Sequence, residues 1–360
     1  MLKGLRNFLR GGEKLPAATS DTFFVWEPCS YSHAEVTPGY ARYLRELGFK
    51  VRVLLSPRLR AQGLFSRVKD DGLSVHYISR KKVLRHFLGG GLGQAAGLLV
   101  TTTGKITKGA CAAQERAVFS YDPARQKILF VEHDVRKMGD ENLPADGVIS
   151  LRRPHYKGVE TAVVNPHFFG DVALTAKNGD CTHFITIGAL RAKRRNTEML
   201  LGAVRALHDQ GVRNFKILVV GKGKVANLPR ELRPCFEFCG HLNFERMYAR
   251  IEQADFFLPL LDADNPQHER YITTGTSGTF QLVYGFAKPC LIAEKFAAVN
   301  GFDAANAIVY KQNTDLAQAM RAAIDMPAVS YDALQQSLEK TTATLYHESL
   351  ENMRKLIDAN

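Results

Sequence analysis

Three short loops carry the groups that can do chemistry, and all three favour phosphate. In the first, Arg191, Lys193, Arg194 and Arg195 crowd the turn after the apolar run His183–Ile187 and Gly188. Four cations in five positions suit a diphosphate, whose charge needs several donors in a partly desolvated site; a solvated surface turn is the plainer alternative. The second loop, Val220-Gly221-Lys222-Gly223-Lys224, follows the apolar run Phe215–Val220. Its glycines let the backbone approach a ligand closely, but the third glycine of a dinucleotide fingerprint is missing, which disfavours NAD. In the third, Gly275-Thr276-Ser277-Gly278-Thr279 precedes a helical stretch that includes Gln281. Amides at a helix N-terminus with hydroxyls beside them make an anion site. An ordinary N-cap explains Ser277 or Thr279 alone, not the whole run.

These loops need strands behind them. In the first half, Thr22–Glu27, Lys50–Leu55, Leu73–Ile78, Lys127–Glu132, Gly147–Ser150 and Glu160–Val164 read as strands, with a helix over Tyr40–Leu47 closed by Gly48. The pattern restarts after the polar, aperiodic segment 165–180. Strands are expected at His183–Ile187, Phe215–Val220, Phe236–Cys239, Asp255–Pro259, Pro289–Ala293 and Ala307–Tyr310, with helices over Met199–His208 and 331–358. Strand–helix–strand spacing of this kind predicts parallel sheets flanked by helices. The fold class is therefore α/β, two Rossmann-like doubly wound domains facing a central cleft. Residues 1–170 form the first domain, 171–335 the second, and 336–360 a C-terminal helix. Ligands in such sheets bind at the carboxyl ends of the strands, where the three loops lie.

Composition narrows the partners. With 360 residues, 45% hydrophobic and 23% charged, the chain has the balance of a globular protein of two domains. The net charge of +12 favours phosphate-bearing partners. Eight Lys/Arg lie between Arg58 and Arg85 against Asp70 and Asp71, interleaved with apolar residues; Lys3, Arg6 and Arg10 flank a helical stripe of Leu2, Leu5, Phe8 and Leu9. Basic and amphipathic, these segments read as a seat for an anionic membrane surface, or else as a solvated face. No secretory leader is evident, and the uncharged stretch 87–104 is too rich in Gly and Thr for a membrane span; the protein is expected in the cytoplasm, peripheral on the membrane's inner face. The six cysteines form no zinc or disulfide framework. Asp262-Ala-Asp264 has the spacing of a metal pair, but it is a weak candidate, and no metal is expected. Nucleic acid is disfavoured for want of a reader motif.

Taken together, residues 184–324 resemble the donor-binding half of the GT-B glycosyltransferases of the "glycosyl transferases group 1" type. FITIGALRAKRRNTEMLLGAVRAL is similar to that family's first strand, phosphate loop and helix. KILVVGKGK resembles its glycine turn, FEFCGHL its short strand ending in Gly, ADFFLPL the strand leading to the donor pocket, and GFAKPCLIAEKF the strand after the donor helix. Two departures stand out. Ala189 replaces the family's loop arginine, so the phosphate contact passes to Arg191, Arg194 or Arg195. The paired glutamates fall near Thr274 and Leu282, and Ser277-Gly278-Thr279 with Gln281 stands closer to the Ser-Gly loop of inverting enzymes.

The resemblance implies a glycosyltransferase that moves a sugar from a nucleotide-diphosphate donor to a glycan or lipid-linked acceptor of the cell surface. It implies donor contacts from Gly188, Arg191, Arg194, Arg195, Gly221, Gly223, Ser277, Gly278, Thr279 and Gln281, with Glu269 near the donor sugar. No cofactor is implied beyond the donor substrate. In the first half, Phe130-Val131-Glu132-His133-Asp134 places His133 like the histidine that faces the donor sugar in many retaining members. If the reaction inverts, a nearby group must take the acceptor hydroxyl's proton, and Asp134, His133, Glu35 and His33 are the candidates. A non-catalytic GT-B-like protein binding nucleotide or glycan and a GT-B sugar-nucleotide epimerase are the alternatives.

Overall fold

A computed structural model describes residues 15, 17–29, 33–90, 92–102, 121–137, 146–190, 194–223, 225 and 227–359. The chain divides into two compact units, one of residues 1–170 with 347–360 and the other of residues 171–346.

The first unit is built on a seven-stranded sheet in the order β3-β2-β1-β4-β5-β6-β7, parallel throughout. Its strands are β1 (Thr22–Trp26), β2 (Lys50–Leu55), β3 (Leu73–Tyr77), β4 (Gly97–Val100), β5 (Lys127–Val131), β6 (Gly147–Ser150) and β7 (Ala162–Val163). Every residue of β1 and β4 is buried, as expected where both faces of a parallel sheet are covered. The crossover from β1 to β2 runs through α1 (Thr37–Glu46), where Pro38 occupies a first-turn position that needs no amide donor. Gly48, at φ 92°, turns the chain back. A second helix, α2 (Arg80–Gly90), buries Val83 and Phe87 against Phe24 and Trp26 and turns Lys81, Lys82 and Arg85 to solvent.

Strand β4 adds to the expected set, since its segment reads in the sequence only as too polar for a membrane. A Cβ on Gly97 would lie 2.5 Å from both the Phe23 ring and the Lys127 carbonyl. The packing between β1 and β5 therefore requires glycine, which dilutes the apolar signal.

The second unit holds β8 (Thr182–Ile187), β9 (Phe215–Val220), β10 (Phe236–Gly240) and β11 (Phe256–Phe257) in the order β10-β9-β8-β11. A bridge from Phe257 to Cys290 continues the sheet toward β12 (Leu291–Ala293) and β13 (Ile308–Tyr310). Helices α3 (Thr197–Asp209), α4 (Phe244–Gln253), α5 (Gly278–Gly285) and α6 (Leu316–Asp325) accompany them. The stretch expected at 255–259 forms only the two-residue β11.

Residues 173–178, expected as linker, are pinned to this unit. Buried Asp255 accepts from the Asn178 and His183 amides at 2.9 and 2.7 Å, and the Glu252 side chain accepts from the Ala173 amide at 2.9 Å. The last helix, α7 (Ala328–Asp358), changes units at Tyr346/His347. Its end is fastened to the first unit by Ser349, which accepts from the Asn165 amide, and Asn352, which donates to the Val163 carbonyl.

Candidate anion site and histidine pair

In the second unit the first two loops are knitted to each other. The Gly188 amide donates to the Val220 carbonyl and the Gly221 amide to the Gly240 carbonyl, each at 2.8 Å. Gly221 has φ 139°, and a Cβ there would sit 2.3 Å from the Gly188 oxygen. These glycines let two backbones pass at contact distance, and their own amides are committed to that packing. Gly223, at φ 123°, faces Leu190 less closely, with 3.3 Å from a Cβ position to the Leu190 oxygen.

Arg195 is the unusual group. It is 8% exposed, and its guanidinium donates to the Ile187 carbonyl and Thr279 Oγ1, both at 3.0 Å, and to the Arg194 carbonyl at 2.8 Å. Its Nε is buried without a partner. Burial lowers its pKa, with the nearby Tyr271 opposing that shift and Arg194 adding to it. No carboxylate pairs with it among the described residues. A guanidinium keeps its proton even so, and a buried charge without a counterion is costly. Arg194 is exposed; Arg191 lies outside the described residues.

The next residue, Asn196, fixes the loop from the other side. Its Oδ1 caps α3 at the Met199 amide, 2.9 Å away, and its Nδ2 donates to Asp262 at 2.8 Å. Asp262 and Asp264 both accept from the Asn313 amide, at 2.7 and 3.0 Å. Among the described residues no group of three or more His, Cys, Asp or Glu side chains is placed to hold a metal ion.

Thr279, the hydroxyl that Arg195 holds, belongs to the first turn of α5. Ser277 is the N-cap, but its Oγ lies 3.4 Å from the Thr279 amide, a weak cap. Gly278 is exposed, with no heavy atom within 4 Å of where a Cβ would stand. One turn on, Gln281 is 2% exposed and both polar atoms of its amide lack partners; the Thr274 hydroxyl is likewise buried and unpartnered. Leu282, at the second glutamate position of the resemblance, is buried. Glu269 pairs with Lys295 at 3.3 Å on the half-exposed surface.

In the first unit the two histidines singled out in the sequence meet. His33 and His133 stand edge to face, ring centroids 4.7 Å apart. His133 Nε2 lies 2.8 Å from the Thr101 carbonyl. Glu35 sits half-buried in the turn Ala34–Val36, where burial pushes its carboxyl up to about 8. Asp134 is ion-paired with Arg136 through both carboxylate oxygens. Sequence reasoning missed Glu27, which follows β1 with its carboxylate buried among Thr101, Thr102 and Cys29. A lone acid ending an apolar strand was the available signal.

The basic face between Arg58 and Arg85 exposes Arg58, Arg60, Lys81, Lys82 and Arg85. The stripe with Lys3, Arg6 and Arg10 lies outside the described residues. No described helix is long and apolar enough to cross a membrane.

No protein-family model and no curated protein sequence matches the chain. Among solved structures it is similar to AviGT4, a glycosyltransferase involved in avilamycin A biosynthesis, at 14% identity and TM-score 0.59, covering 94% of this chain and 98% of that one. It is also similar to a glycosyltransferase from Rickettsia africae (11% identity, TM-score 0.56, covering 96% and 100%). A UDP-forming trehalose-phosphate synthase from Burkholderia xenovorans matches at 10% identity and TM-score 0.55, covering 93% and 99%. At such identities the likeness is one of fold: the chain has the two-domain, Rossmann-like GT-B fold.

Proposed function

We propose that the chain is a glycosyltransferase that takes its sugar from a nucleotide-diphosphate donor. The observation that carries this reading is Arg195, a buried guanidinium with no carboxylate, joined through Thr279 to the open first turn of α5. A diphosphate supplies the missing counterion, with Arg194 at the exposed side and the Gly278 amide at the helix end. Charge that develops on the leaving diphosphate is then met by groups already in place, which lowers the barrier without a metal ion. Gln281, donor and acceptor at once, suits the hydroxyls of the donor.

On this reading the first unit receives the acceptor. Two of its candidate proton acceptors are poor ones: burial keeps the Glu35 proton in place at neutral pH, and Asp134 is held by Arg136. His133 is the better group, because its Nε2 faces a carbonyl and its Nδ1 is the ring's acceptor. The acceptor is a glycan or a lipid-linked sugar of the cell surface, and the exposed basic face of α2 fits an anionic membrane surface bearing it.

The test is release of free nucleoside diphosphate from a panel of sugar nucleotides, with and without cell-surface glycan or lipid acceptors. Acceptor-stimulated release from one donor supports the reading. The second reading, a non-catalytic nucleotide- or glycan-binding protein, is favoured by buried Leu282 and Thr274 where the resemblance calls for glutamates; binding without release under every condition selects it.

A further inference from the structure

We propose that Glu27 is a positioning residue, which fixes the ring tautomer of His133. The inference rests on the assignment of His133 to the reacting centre.

Glu27 is 4% exposed and directly follows β1. One carboxylate oxygen accepts from the Thr101 and Thr102 hydroxyls, at 2.5 and 2.8 Å, and the other from the Cys29 amide at 2.6 Å. Hydrogen bonds to a buried carboxylate are strong and directional, so these donors are held in register. Two of them directly follow β4. Thr101 is held again by its amide, which donates to the Trp26 carbonyl at 2.9 Å. Its own carbonyl lies 2.8 Å from His133 Nε2. A carbonyl oxygen can only accept, so the neutral ring must carry its proton on Nε2 and present Nδ1 as its acceptor.

The third donor is the Cys29 amide, and the His33 ring stands against His133. One carboxylate therefore anchors the peptide that His133 reads and the Cys29 amide. Glu27→Gln keeps the volume but exchanges an acceptor oxygen for a donor amide, so the three donors are no longer all matched.

The direct readout is long-range proton–nitrogen NMR on chain labelled with ¹⁵N-histidine, at about pH 8.5, where imidazoles are neutral. His133 is assigned by the signal lost in His133→Asn. The wild type should show the Nε2–H form. Folded Glu27→Gln should shift both ring nitrogens toward the averaged values of a tautomer mixture, with kcat reduced and KM for the sugar nucleotide unchanged. If Glu27→Gln does not fold, Thr101→Val severs one arm alone and should give a smaller shift in the same direction. A wild-type ring protonated on Nδ1 overturns the proposal, as does an unaltered ring pattern in whichever of the two variants folds. The NMR readout needs no substrate. A Glu27-dependent tautomer in a chain that transfers no sugar would sink the functional reading and leave this inference standing.

Discussion

The Arg195 guanidinium lies 3.0 Å from Thr279 Oγ1, across 84 positions of sequence, and so ties the loop after β8 to the first turn of α5. Arg195 also grips the Ile187 carbonyl at the end of β8. A strand end, an arginine and a helix N-terminus are thereby fixed relative to one another before any ligand arrives, which is what electrostatic preorganisation requires.

The glycines separate into two roles. Gly221→Ala forces a Cβ to 2.3 Å from the Gly188 oxygen at φ 139°, strain of the kind that costs about 1–3 kcal/mol or more. Thermal melting should show a loss of stability of at least that order. Gly278→Ala meets no neighbour, so its melting point should hold while nucleoside diphosphate affinity falls. A reversed pattern would place the ligand at the Gly221 turn instead.

Glu35 gives a pH signature. Its folded pKa of about 8 lies above the ordinary carboxyl value of 4.5, so on raising the pH the unfolded chain releases the proton first. Stability is favoured below 4.5 and is lost progressively as the pH climbs through 8. Glu35→Gln does not titrate, so its melting temperature should gain on the wild type across that window. A constant difference between the two would show that the carboxyl is ordinary.

Much of the fold was legible because β1, β5 and β9 hold unbroken apolar runs (Phe23–Trp26, Ile128–Val131 and Ile217–Val220), the mark of strands covered on both faces. Strand β4 was hidden by Gly97, whose need is set by the distant Phe23 ring and Lys127 carbonyl. Arg194 and Arg195 look alike in sequence, yet one is exposed and the other 8% exposed; that difference comes from Thr279, far along the chain. Gly221 was recognisable as a special turn, but its cause, the Gly188 backbone, was not. His33 and His133 stand far apart in sequence, and only the sheet order, which sets β1 beside β4 and β4 beside β5, brings their loops together.

Metal independence follows if Arg195 and the α5 amides meet the diphosphate charge. Transfer activity should then survive EDTA undiminished. Loss of activity restored by Mn²⁺ or Mg²⁺ would make Asp262 and Asp264 metal ligands, at the expense of the asparagine contacts they now hold.

The basic face predicts salt-sensitive binding to anionic vesicles. Lys81, Lys82 and Arg85 are exposed on α2, and each basic side chain near such a surface contributes about 1 kcal/mol. Changing all three to Gln should lower co-sedimentation with anionic vesicles and leave nucleotide affinity intact. Equal pull-down by neutral vesicles, or none by anionic ones at low salt, would make this face simply solvated.

The central claim, that the second unit holds a nucleotide diphosphate on Arg195, is tested most directly by isothermal titration. Wild type and Arg195→Ala are each titrated with UDP, GDP, ADP and dTDP, with melting curves to confirm that both are folded. One nucleoside diphosphate should bind the wild type one to one. The variant should lose about 1.5–3 kcal/mol, roughly ten- to hundredfold in Kd, because a desolvated charge-assisted contact is removed. Equal affinity of a folded Arg195→Ala, or no binding of any of the four by the wild type, would contradict it.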